Sequence, residues 1–405
     1  MSIEENDCQG AVTKPVRKTS WFSIIILSLA AIIFVTAELL PIGVLHEIGN
    51  TYNKSAGNIG LIVTGYAWVV ALSAISATSF FMKVEKKKLV IGILLAFSIS
   101  NLIVSFAPNL FWLYIGRVIG AFFHGVFWSI VGPLAVRLVP DSGKAKATSL
   151  VFGGIAIASV AVVPIATFVS QNIGWRLSFI SLAIMGLLIT IAALFSMPKV
   201  HQADASKKIA IKEIITQPYL RRTFPVTALA LSGNYCAFIY ISPLLENRAG
   251  ISHEQLPFFL LLFGMFGVIG VIGNIISGFI TDSKLVAATR TVLAIMIISV
   301  IGIGYFSEDN LALTYSFIAI WGIGICLLTV TLQSLVLNLA TGTGEQASSV
   351  HVTMFNTGIG TGAFIGGILI DRFNTETTAL TGGILLTIAF VILIPQIKLN
   401  NNSSS

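Results

Sequence analysis

Charged side chains are scarce in this 405-residue chain, at 10% of the sequence, where a soluble domain carries about one-quarter. So little charge could not coat a globule of this size for water. A water-soluble enzyme or carrier is therefore excluded, and lipid is the natural main solvent. Cysteine is also scarce. Cys8, Cys236 and Cys326 show no ligand spacing, which leaves no basis for a disulfide framework or a zinc site, and the last two fall in apolar runs where a thiol behaves as a small hydrophobe. The sequence contains no HExxH, no Gly-x-Ser-x-Gly, no paired aspartates and no Walker motif. Those absences argue against an enzyme, an ATP-driven pump and any bound cofactor or metal. The net charge of +7 sits in alternating loops, so it reads as topology and no nucleic-acid partner is expected.

What the chain has in abundance is long apolar runs, with 55% hydrophobic residues. Crossing roughly 30 Å of hydrocarbon takes about 20 residues at 1.5 Å each. Spans are expected at 22–45, 57–82, 89–107, 111–138, 144–171 and 177–197, then at 223–246, 256–281, 288–306, 311–340, 346–370 and 378–397. This is an all-α membrane protein of twelve transmembrane helices. The division is a tail over 1–21, a six-helix half over 22–197, a charged connector over 198–222, a second half over 223–397 and a tail over 398–405. The first apolar run is too long for a signal-peptide core, and the acidic start (Glu4, Glu5, Asp7) also speaks against a cleaved leader. With the N-terminus inside, nineteen Lys and Arg fall in inner segments and four in outer loops (Lys54, Arg176, Arg248, Arg372). The positive-inside rule then makes both termini cytoplasmic. The halves repeat weakly about 200 residues apart: Pro41 ends span 1 as Pro243 ends span 7, and Thr78–Lys88 matches Gly278–Arg290. Parallel six-span repeats are a known transporter plan.

Several stretches together resemble a known family. They are Glu38-Leu-Leu-Pro-Ile-Gly-Val-Leu45, Tyr66-Ala-Trp-Val-Val-Ala-Leu72, Val84-Glu-Lys-Lys-Lys-Leu89, Arg117 through His124 to Phe127-Trp-Ser129, Gly174-Trp-Arg176, Trp321-Gly322 and Phe355-Asn-Thr-Gly-Ile-Gly-Thr-Gly362. The chain resembles the major facilitator superfamily in its drug:proton antiporter-like branch, and within it the bacterial sugar-efflux transporters of the SotB type. The resemblance implies two pseudo-symmetric halves, a monomer in a bacterial inner membrane, and a small sugar or sugar-like substrate moved against protons. Departures are visible. The loop motif between spans 2 and 3 reads Thr78, Met82 and Glu85 where the family has Gly, Asp and Gly, although its second copy keeps Gly278 and Asp282. The span 5 antiporter motif ends Val163-Pro164-xx-Thr167, and the span 4 motif keeps Arg117 but reads Gly120-Ala121.

Charge inside a bilayer is costly, by about 2.5–3.5 kcal/mol on insertion scales, so the few buried ionisable residues are the first candidates. Glu38 and Arg117 lie at similar depth, roughly 10 Å below the outer ends of their spans. Burial favours a neutral acid and a neighbouring guanidinium favours its carboxylate, so a group balanced between them can load and release a proton. Glu38 is the leading proton carrier, with Arg117 as its modulator; a fixed ion pair at the outer gate is the competing reading. His124 lies two turns deeper than Arg117 on the same face. It could relay a proton, bond a substrate hydroxyl or be a satisfied core histidine. Trp128, one turn further, could stack on a sugar or simply pack. Asn234, Tyr235, Gln333, Asn356, Tyr66 and Trp68 supply polar groups suited to a neutral polyhydroxylated ligand, or hydrogen bonds between helices. Lys86, Lys87, Lys88 and Asp282 are expected at an inner gate, or as solvated topology signals. Sugar export coupled to protons is thus the first function, and proton-coupled multidrug efflux is the alternative. The two-half repeat argues against a passive channel.

Overall fold

A computed structural model describes residues 20–81, 84–140, 143–199, 211–277, 282–306, 310–340 and 344–402. The first five expected spans appear as α1 (Trp21–Gly43), continued by a short α2 (Leu45–Tyr52), α3 (Ala56–Phe80), α4 (Lys86–Ser105), α5 (Leu110–Arg137), and α6 (Lys144–Ile157) with a π-helical turn (Ala158–Val162) running into α7 (Val163–Ile173). Then come α8 (Trp175–Ser196), a connector helix α9 (Ile211–Thr216), α10 (Leu220–Phe238) with α11 (Ile241–Ala249), α12 (Leu256–Ser277), α13 (Asp282–Phe306), α14 (Leu311–Leu339), α15 (Gly344–Arg372) and α16 (Thr375–Asn402). Among the described residues, nine helices are individually long and apolar enough to cross a membrane. The pair α10 and α11, bent by 52°, passes the same test together and makes a tenth when counted as one span.

The prolines behave differently from the expectation that they end spans. Pro lacks an N–H and its ring collides with the carbonyl four residues back. For Pro243 that carbonyl belongs to Ile239, and the helix breaks there, at Ile239–Tyr240. Pro243 itself sits in the first turn of α11, where a missing N–H costs nothing. Pro41 stays inside the last turn of α1, and the chain turns at Val44 before resuming as α2.

Contacts sort the helices into two groups. In the first, α1 packs on α6 and α8, α3 on α5, and α4 on α5 and α8. In the second, α10 packs on α15 and α16, α12 on α14, and α13 on α14 and α16. The groups meet through α3 against α15 and through α12 against α7 and the π-turn. We call the end where α1 starts the near end and the end where it stops the far end. At the near end the backbone N–H of Ser20 bonds Leu138 O and Ser23 bonds Ser196 O. At the far end Tyr52 donates to Ala107 O, Trp175 Nε1 to Thr51 Oγ1 and Arg176 to Ala107 O.

Candidate functional site

The site begins with the missing N–H of Pro41. In an unbroken helix the carbonyl of Ala37 would accept from residue 41, but Pro41 cannot donate. Ala37 O is therefore free in the middle of a bundle, and Arg117 of α5 takes it, with Nη1 at 2.6 Å. The guanidinium is buried and lies 4.0 Å above the Tyr66 ring, a cation–π contact. Its Nε and Nη2 make no hydrogen bond to described protein atoms. Beside it is a space of about 10 Å³, bordered by Tyr66, Ser100, Asn101 and Gly120. That is room for one water molecule among polar groups.

Arg117 and Glu38 do not form the ion pair that remained open above. The guanidinium is anchored one residue away, on Ala37, from where its charge still reaches Glu38, and His124 stands beside the carboxyl. Glu38 Oε2 stands 3.9 Å from His124 Nε2, with the carboxylate side chain 17% exposed and the imidazole buried. Tyr66 Oη lies 2.7 Å from His124 Nδ1, and the indole Nε1 of Trp128 donates to His124 Nε2. An indole N–H can only donate, so Nε2 here presents a lone pair and the imidazole proton belongs on Nδ1, donated to Tyr66. Phe34 and Phe127 close the apolar side of the ring, stacked on one another at 4.7 Å, with Phe34 5.2 Å from His124.

The other expected residues divide. Tyr66 and Trp68 point away from each other, as residues two apart on a helix must. Trp68 faces α15 instead, 5.9 Å from Phe364 and against Gly360. Asn234 is fully buried in the second group, its Oδ1 accepting from Trp321 Nε1 at 2.8 Å. Tyr235 is half-buried beside Phe238, where the charge of Glu38 is felt across the two groups. Asn356 bonds back to Val352 O in its own helix, and Gln333 is half-buried in α14. Lys86, Lys87 and Lys88 open α4 and form no ion pair among the described residues. Asp282 starts α13, but its side chain lies outside the described residues.

A second polar cluster, missed from the sequence, closes the far end. His253, in a 3-10 turn (His253–Gln255) of the second group, lies 2.8 Å from Glu246 of α11 and 3.3 Å from Glu47 of α2 in the first group. His46 packs on its ring at 5.4 Å, and Gln171 of α7 donates to its carbonyl. Burial works against its imidazolium. The hydrogen bond to Glu246 and the charges of Glu47 and Glu246 outweigh it and hold His253 above the ordinary histidine value. Burial likewise pushes the Glu47 carboxyl up, despite its own backbone N–H and the nearby histidines. On the opposite side of the same end, Asp371 of α15 accepts from Ser55 Oγ at 2.7 Å, Gly57 N at 3.1 Å and Asn58 Nδ2 at 3.4 Å. A Cβ on Gly57 would collide with the carbonyl of Gly367 and with Asp371, so glycine there lets α3 and α15 touch.

The fold recurs in solved structures. One is a bacterial homologue of the human lysosomal transporter Spinster in an inward-facing, unoccupied conformation, with a TM-score of 0.74 at 14% identity, covering 95% of this chain and 98% of that one. Another is the human organic anion transporter MFSD10 (TETRAN), at 0.70 and 14%, covering 94% and 100%. A third is a POT family transporter in complex with a thioalcohol-conjugated peptide, at 0.72 and 12%, covering 92% and 96%. At such identities the likeness speaks for the fold. The sequence itself matches the profile of the Major Facilitator Superfamily over residues 25–355. With most of its length matched, and a multi-pass helical bundle built around buried ionisable groups, the chain belongs to that superfamily of membrane transporters.

Proposed function

We propose that the chain is a secondary active transporter that exports sugars or sugar-like solutes against inward-moving protons by alternating access. In this reading it crosses a bacterial inner membrane twelve times as a monomer. Two six-span halves, 22–197 and 223–397, are joined by the connector 198–222, and the tails 1–21 and 398–405 are cytoplasmic. The far end is then the outer face. The packing supports the repeat. Counting α6 with α7, and α10 with α11, as single spans, each main pairing in the first group has its counterpart six spans later, and the α3–α15 contact between groups has its counterpart in α7–α12. Helices with the same neighbours in the same order are what a parallel repeat produces.

The observation that carries the proton coupling is the buried constellation of Glu38, His124, Tyr66 and Arg117. A carboxyl and an imidazole stand 3.9 Å apart, with a fixed guanidinium anchored beside them. Titratable groups inside a membrane bundle are costly and serve ion pathways. Neutral polar groups, among them Tyr235, Asn356, Gln333 and Trp128, suit a hydroxylated, uncharged ligand. Lys86, Lys87, Lys88 and Asp282 are assigned to the inner gate.

Counterflow in proteoliposomes tests this reading. A panel of D-glucose, lactose, L-arabinose and ethidium is measured with and without a proton gradient. Sugar exchange that responds to the gradient, and stops responding in Glu38→Gln, is the expected result. Ethidium exchange alone would assign the chain to multidrug efflux, and gradient-driven sugar exchange that survives Glu38→Gln would remove Glu38 from the proton path.

A further inference from the structure

We infer that Trp128 is a positioning residue for proton loading: its indole N–H and a transported proton compete for the same lone pair on His124 Nε2. The inference rests on the proton-coupling reading above and adds the element that controls it. In the observed arrangement Nε2 accepts from Trp128 and Nδ1–H is committed to Tyr66. A second proton has only Nε2 to bind, and an Nε2–H cannot accept from an indole N–H, because two donors would then face each other. Loading therefore breaks one bond and makes another. The Trp128 N–H···Nε2 bond opens, the proton bonds to Nε2, and the new N–H turns to Glu38 Oε2, already 3.9 Å away. When the proton comes from Glu38 itself, the neutral acid and neutral imidazole become a carboxylate–imidazolium pair with no change in net charge.

The surroundings favour this exchange. Titratable and charged groups reach His124 from each neighbouring element that carries one: Glu38 from α1, Tyr66 from α3, Arg117 from α5 and, through Glu38, Tyr235 from α10. From α4 the polar side chains bordering Arg117 are the uncharged Ser100 and Asn101. Arg117 is fixed on Ala37 and over the Tyr66 ring, so it is not a mobile competitor for the carboxylate. Trp128 has room to act. It is half-buried, and it packs on the small cluster of Ile32, Val35 and Ala158, the last of them in the π-turn of the α6–α7 span. π-Helical turns are rare, and where they occur they are frequently at functional sites. A ring stacked on the indole would be held while His124 is neutral and released when it is protonated, which is the exchange rule an antiporter needs.

The test uses the full-length protein in nanodiscs and the proton alone as the ligand. Near-ultraviolet absorbance is followed from about pH 5 to about pH 9. An indole difference signal that titrates with one proton, with its populations changing about tenfold per pH unit, is expected in wild type. It should be lost in Trp128→Phe and in His124→Gln, whose amide oxygen accepts from the indole but takes up no proton. Absence of the signal in wild type, or its survival in Trp128→Phe, overturns the inference. His124→Gln also serves as the folding control, since it keeps the indole bonded. Glu38→Gln separates the two readings. A shifted midpoint with the signal intact supports both, and an unmoved midpoint removes Glu38 from the proton path while leaving the competition for Nε2 standing.

Discussion

Replacing His253 by glutamine should loosen the far end of the bundle and weaken its response to pH. His253 bonds Glu246 within its own group, and that bond only holds the ring in place. The contact that differs between a closed and an open far end is the one to Glu47, at 3.3 Å across the groups, with Glu47 only 16% exposed and His253 40%. Both carboxylate oxygens of Glu47 are buried, so the imidazolium is the charge that compensates them. An exposed ion pair is worth about 0.2–1 kcal/mol, and leaving a buried polar group uncompensated costs about 1–3 kcal/mol. With half of this pair open to solvent, about 1–2 kcal/mol is a fair figure, or a factor of roughly 5–30 in the closed-to-open ratio.

The sign with pH follows from linkage. His253 is held above its usual 6.5 when the end is closed, so closure takes up a proton. The closed form is fully favoured below 6.5, and that advantage fades as pH rises through the raised value. Glu47, raised above 4.5 by burial, adds in the same direction, with its own contribution present below 4.5 and lost as pH passes its raised value. Spin labels at Lys54→Cys and Phe373→Cys, with Cys8, Cys236 and Cys326 replaced by serine, report the separation across the far end. Wild type should give a short distance near pH 5.5 and a growing longer population near pH 8.5; His253→Gln should show the longer population at both. A wild-type distribution that does not change with pH, or a change of undiminished size in His253→Gln, where only the Glu47 contribution is left, would refute the reasoning.

Other consequences are open to direct measurement. Pro41→Ala restores an N–H that competes with Arg117 for Ala37 O, so proton-driven transport should fall severalfold while the melting temperature holds or rises. Asp371→Asn weakens three bonds between α15 and the start of α3 and should lengthen the same spin-label distance at every pH, by an opening of about 1–3 kcal/mol. Gly57→Leu puts a side chain where Gly367 O and Asp371 stand, so the closed population should vanish outright. Trp321→Phe strands Asn234 Oδ1 in a buried position, which should destabilise the protein by about 1–3 kcal/mol in thermal unfolding, with Asn234→Leu in that background recovering part of the loss.

Much of this architecture was legible because lipid imposes a simple rule on sequence: long apolar runs, interrupted where the chain meets water. The edges of α3, α5 and α14 fall within about two residues of the expected ones. The shared face of Arg117, His124 and Trp128 was legible too, since seven- and four-residue spacings return to one side of a helix. The partner of Glu38 was not. Depth estimates on separate helices are good to about one turn, and Arg117 and His124 are two turns apart, so rotation of α1 decided between them. The signal that could have helped was Pro41, whose freed acceptor lies four residues back, at Ala37. Tyr66 and Trp68 could have been separated by helix geometry alone. The far-end cluster left no trace, because His46, Glu47, Glu246 and His253 are single polar residues at span edges, about 200 positions apart, where polar residues are ordinary.

The two histidine–carboxylate pairs differ in one respect that separates their roles. A proton shifts a conformational equilibrium only if it binds the two conformations unequally. Glu47 and His253 belong to different groups, so their contact is made or lost when the groups move, and protonation there acts on the equilibrium directly. Glu38 and His124 both belong to the first group, on α1 and α5, and a rigid movement of that group leaves their separation unchanged. Their proton reaches the second group through the field felt by Tyr235. Glu38→Gln should therefore abolish gradient-driven transport while leaving the pH response of the far-end spin labels in place, and His253→Gln should do the reverse, keeping coupled transport with a flattened label response. Among the described residues the sites share no partner, so their effects on the label equilibrium should add within about 0.5 kcal/mol in the double variant. A larger departure would mean that the deep pair and the far-end pair titrate as one unit, and that the first group does not move as a rigid body.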